Sequence, residues 1–241
     1  KTALDPSKAP KAETSDGSVS VAAAVGVNIG TSSAKAYTPD GVSITAGDTL
    51  AIKTTNNGAA SAIADGSVVA KDNTDGSNVG VGAAIAINVA SVTNQATLGN
   101  GIHTVGGLDI SATMKELEVE VTKETTATDG TKTTTTTTEK DNTSTFGAEA
   151  TSGAGAAEVG VAGSVAIDIV DTSSDAKVTS GATVNVHAVS GDKNADGTLN
   201  TANDGNVSLT ADNKSESTAK ALPSGTASGS KVGIGASVAL N

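Results

Sequence analysis

Two histidines, 26 acidic side chains and no cysteine are what this 241-residue chain has for chemistry. One loop spaces its oxygen donors as a hard cation needs them. Asp192, Asn194 and Asp196 alternate, Gly197 follows, Thr198 offers a backbone carbonyl, and Asn200 closes the run. Alternate residues of a curling loop point at one centre, which is how the first half of an EF-hand-type loop holds calcium. The twelfth position is Asn203 rather than Glu, with Asp204 beside it and no helical pattern on either flank. A plain Asx-rich turn is therefore the competing reading. Calcium is the one cofactor the loop suits, and nothing in the sequence requires any. Asp72-Asn73-Thr74-Asp75-Gly76 is a shorter version of the same spacing.

Catalysis finds less support. His103 and His187 each stand alone in a strand-like pattern, whereas a zinc site needs three or four ligands. No G-x-S-x-G elbow occurs. Enzymes that cleave polysaccharides hold sugar with Arg, Lys or aromatic platforms. Here all 15 basic residues are Lys, and the only aromatic side chains of the Phe, Tyr and Trp type are Tyr37 and Phe146. The expectation is a non-catalytic protein, with a carbohydrate-active enzyme as the third-ranked reading. A net charge of −11 disfavours nucleic acid and anionic membranes alike. No apolar run approaches the roughly 20 residues of a membrane-spanning helix, so membrane insertion is not expected either.

The elements that must position any site come from an internal repeat. VSVAAAVGVNI begins at Val19, VGVGAAIAINV at Val79, VGVAGSVAIDI at Val159 and VGIGASVALN at Val232, so the starts lie 60, 80 and 73 residues apart. Each copy alternates strictly, the mark of a strand. One face carries large residues, in the second copy Val79, Val81, Ile85, Ile87 and Val89, and β-branched side chains suit a buried pleated face. The opposite face is small: Gly80, Gly82, Ala84 and Ala86, and again Gly160, Ala162, Ser164 and Ala166. Solubility would favour Lys, Glu or Thr on a strand face turned to water. Either another part of the chain covers the small face, or it is a flat surface for lateral association between copies. That face carries no regular Thr-x-Thr array of the kind that would match ice.

Shorter alternating strands follow each anchor, joined by turns such as Asp40-Gly41, Asn100-Gly101 and Gly106-Gly107. Short strands with a period of 60–80 residues predict an all-β chain, a parallel β-solenoid (β-helix) filled by stacks of Val, Ile, Leu and Ala. Such a narrow interior accounts for 1% aromatic content. The 80-residue spacing contains ELEVEVTKETTATDGTKTTTTTTEK (116–140), which predicts a protruding β-hairpin insertion over about 115–145 turning at Asp129-Gly130. It is either a tolerated surface insertion or a contact element. Residues 1–16, with two of the four prolines, read as a linker, and 17–241 as one solenoid segment of a longer chain.

The blocks VGVGAAIAINVASVTNQATLGNGIHTVGGLDISAT and VGVAGSVAIDIVDTSSDAKVTSGATVNVHAVS resemble repetitive passenger regions of giant secreted bacterial adhesins, the filamentous-haemagglutinin-like and leukotoxin-like proteins. The resemblance extends over about 16–241 apart from the hairpin and lies in repeat texture, so no site residue carries over. It implies a right-handed solenoid, export to the bacterial cell surface, and work as a stalk or adhesive fibre meeting a host or surface receptor. The alternative is a self-assembling filament or surface-layer subunit whose homotypic contacts use the small-residue face.

Overall fold

The computed structural model describes residues 19–68, 79–126, 132–155, 158–186, 205–223 and 231–241. Thirteen strands and no helix occur among them: β1 (Val19–Tyr37), β2 (Ile44–Asn56), β3 (Ala59–Ser67), β4 (Val79–Leu98), β5 (Ile102–Met114), β6 (Leu117–Thr126), β7 (Lys132–Asp141), β8 (Ser144–Gly153), β9 (Val159–Val178), β10 (Thr183–Val186), β11 (Val207–Ala211), β12 (Ser215–Pro223) and β13 (Val232–Leu240). The anchors start β1, β4, β9 and β13, and each of the first three runs on without a break into the pattern behind it. β4 and β9 are accordingly 20 residues long.

Three parallel sheets take these strands in turn. The first has the order β1-β4-β9-β13, the third β12-β8-β3. In the second, β5 pairs with β2 on one edge, while β10 and β11 share the other edge on either side of residues 187–204. From β1 to β13 the chain visits the first, second and third sheets in that order and then returns to the first, so each strand lies beside its counterpart in the next repeat. Pairing in the first sheet has no register shift: Val19 sits by Val79, Val79 by Val159 and Val159 by Val232. The second sheet has one irregularity, between Ala46 and Thr49 of β2. At the predicted Asp40-Gly41 turn, Gly41 adopts φ 80°, where a side chain would be strained, and its N–H donates to Asn100 O at 2.6 Å.

Among the described residues the one antiparallel pair is β6 with β7, from Leu117 beside Asp141 to Thr126 beside Lys132, inserted between β5 and β8. Glu116 and Lys140 close its base with an ion pair of 2.8 Å. The Asp129-Gly130 turn lies outside the described residues.

The interior is a wedge. Between the first and third sheets it is built almost wholly of alanine: Ala62, Ala64, Ala84, Ala86, Ala148, Ala150 and Ala166 form one buried cluster. The backbones there approach so closely that a Cβ on Gly66 would overlap the Ala83 carbonyl, and one on Gly82 the Gly153 carbonyl. Toward the second sheet the wedge opens, and Leu98, Val105, Leu108 and Ile110 fill it. Phe146, the chain's one phenylalanine, packs with Ala90 and Val92 where the two regions meet.

This packing reverses the expected use of the anchor faces. Gly80, Gly82, Ala84, Ala86, Gly160, Ala162, Ser164 and Ala166 are all buried, so they form no surface for association. The third sheet covers them, and only side chains this small let it come so near. The large β-branched face, expected in the core, is the one turned outward.

Candidate interaction face

The outward face of the first sheet is apolar across six successive cross-strand rows. They run Val19–Val79–Val159–Val232, Val21–Val81–Val161–Ile234, Ala23–Ala83–Gly163–Ala236, Val25–Ile85–Val165–Val238, Val27–Ile87–Ile167–Leu240, and, three strands wide, Ile29–Val89–Ile169. Strand alternation puts every second residue on this side, and parallel pairing without a slip places like residue beside like. Exposure is high for such side chains: 67% for Val25, 60% for Val27, 76% for Ile29 and 56% for Ile169. No described residue covers them.

The same face then turns polar. Thr31–Ser91–Asp171 forms the seventh row, Ser33–Thr93–Ser173 the eighth and Lys35–Gln95–Asp175 the ninth. Asp175 accepts from the Lys177 ammonium at 2.6 Å and from Gln95 at 3.3 Å. The hydrogen bond from Lys177 holds the Asp175 carboxyl below its ordinary range, with Gln95 assisting against slight desolvation. Tyr37, Pro39, Gln95 and Lys177 line a shallow groove at this end.

Directly behind the apolar rows a polar ladder crosses the interior. The anchors share a polar residue at their tenth position, and in the structure these residues stack. Asn28 Nδ2 donates to Asn88 Oδ1 at 2.7 Å, and Asn88 Nδ2 donates to Asp168 Oδ1 at 2.7 Å and to Ala60 O at 3.3 Å. The Ser217 hydroxyl donates to the second carboxylate oxygen of Asp168 at 2.7 Å. Asn88 and Asp168 are fully buried, and these bonds replace the water they lose. An Asn both donates and accepts along such a stack, whereas an ionised Asp only accepts, so hydrogen bonding runs one way, toward β9.

Of the residues with chemical potential, His103 is buried with Nε2–H donating to Gly99 O at 3.0 Å, a brace for the bend between β4 and β5. His187, the Asp72–Gly76 run and the whole calcium loop, with Asp192, Asn194, Asp196, Thr198 and Asn200, lie outside the described residues. Among the described residues no three His, Cys, Asp or Glu side chains gather as a metal site would require. The outward Val and Ile rows are the feature that sequence reasoning assigned to the wrong side. Gly66 was the available clue, since a glycine inside the strand Ala59–Ser67 marks close approach of another backbone to that sheet.

Comparison with protein-family models, curated proteins and solved structures finds no match to this chain.

Proposed function

We propose that this chain is a stalk segment of an extracellular bacterial surface protein. It is a right-handed parallel β-solenoid whose work is mechanical, spacing or presenting a binding tip toward a host or surface receptor. The observation that supports this reading most directly is the slip-free pairing of Val19, Val79, Val159 and Val232 across four strands. A structure in which each repeat pairs with the next can be lengthened without redesign, and its backbone groups are satisfied between neighbours rather than by a thick core. His103 and Asp168 both have structural partners, the Gly99 carbonyl for the one and Asn88 and Ser217 for the other.

The test is reach. Inserted between an outer-membrane anchor and an epitope on a bacterial cell, one copy should hold the epitope at a fixed height. Two tandem copies should raise it by an equal increment, read by fluorescence localisation normal to the cell surface. A height unchanged by the second copy would sink the stalk reading.

A further inference from the structure

We propose that the outward apolar face of the first sheet docks a second copy of this chain, the two related by a two-fold axis running across the strands between the third and fourth rows. The size of the face argues for an occupant. Six rows span about 36 Å along the strands and four strands about 19 Å, roughly 700 Å² of flat surface. Soluble monomers seldom leave a contiguous apolar patch of that extent in water. Two such faces together bury about 1,400 Å², within the range of specific protein interfaces.

Charge selects the occupant. The chain carries −11 overall, yet no charged residue falls in the six rows, so a second copy meets no repulsion there. An acidic chain whose six apolar rows hold no aromatic side chain is poorly suited to lipid headgroups.

Shape selects the geometry. The third row, Ala23–Ala83–Gly163–Ala236, is a trough between two ridges of Val and Ile. An axis along the strands would lay trough on trough and bury the charged row of Lys35 and Asp175. With the axis across the strands, the fourth row of each copy enters the third row of the other. The second row then meets the fifth and the first meets the sixth. All six apolar rows are covered, and the seventh, with Asp171, falls outside. β4 lies antiparallel to the partner's β4, and both copies run from β1 to β13 in the same direction. A contact made by the same patch on both sides closes as a dimer.

Sedimentation equilibrium on the intact chain tests this, together with Val25→Glu and Ile85→Glu made separately. Both substitutions point outward, so circular dichroism should show the fold retained. The chain should be a dimer, each Glu should weaken it roughly a hundred-fold, and Ser33→Glu in the polar eighth row should leave it unchanged. A chain that stays monomeric at its highest soluble concentration overturns the proposal, including one that binds phosphatidylcholine vesicles instead. A dimer that survives both Glu variants overturns it as well. Because the chain has no cysteine, a nitroxide on Gln95→Cys reports the axis. The two labels should lie about 70 Å apart, and a separation near 20 Å would contradict the crossing axis.

Discussion

Asn88 makes the most of the chain's interior chemistry, because its one amide joins three strands. It accepts from Asn28 on β1, donates to Asp168 on β9 and donates to the Ala60 carbonyl on β3. Removing it leaves the half-buried Asn28 amide and a buried carboxylate oxygen of Asp168 short of partners, and an unsatisfied buried group costs more than a satisfied one contributes. Asn88→Ala should therefore lower unfolding free energy by about 1–3 kcal/mol in a denaturant titration. Asn88→Asp should behave differently. Two carboxylates would then face each other in a dry site, which raises the pH at which the pair takes up a proton on folding. A carboxyl raised in the folded state favours folding at low pH, so this variant should gain stability as pH falls. If the Asp variant shows no such trend, the ladder does not bear on stability as described. The importance of the tenth position was visible in the repeat alignment, since Asn28, Asn88, Asp168 and Asn241 occupy it. Its partners were not, because Ala60 and Ser217 come from strands whose facing depends on the fold.

At the scale of the strand, the two faces of an anchor obey opposite size rules. Behind Gly82 stand the carbonyls of Gly153 and Gly66, which belong to the backbone and cannot swing aside. Gly82→Val should cost about 1–3 kcal/mol, at the upper end because nothing flexible can yield. Ser33→Val, outward in the polar eighth row, should change stability by no more than about 0.5 kcal/mol. Equal effects of the two in thermal melts would contradict the wedge. This contrast also explains what could be read from the chain beforehand. Strict alternation made the strands legible, the Asp40-Gly41 turn marked where β1 gives way to β2, and the residues around 116–140 announced the antiparallel pair of β6 and β7. Alternation separates two faces without saying which one is inside. Large β-branched side chains normally settle that choice, and here they mislead, because the sheet spacing set by Ala64, Ala84 and Ala150 has no room for them. Packing distance between sheets is a tertiary quantity. A single strand records it only as small residues, which a surface meant for association would show as well.

Across the whole molecule, the strand pairings make the repeats interchangeable parts. Removing residues 79–158 would bring Val19 beside Val159, a pairing β4 already bridges on both sides, and Asn28 would then donate to Asp168 directly. The shortened chain should keep a β-type circular dichroism spectrum and melt in one cooperative step, at lower temperature because less area is buried. Loss of cooperative melting would mean that the repeats are not equivalent. The anchors thus have a second significance, a genetic one. Repeated stretches of like pattern that also superimpose in space are points where a unit can be deleted or duplicated and leave the flanking structure undisturbed. Length becomes a heritable variable that a lineage can adjust in whole steps, and the matched register of the valines is what keeps each step in frame with the fold.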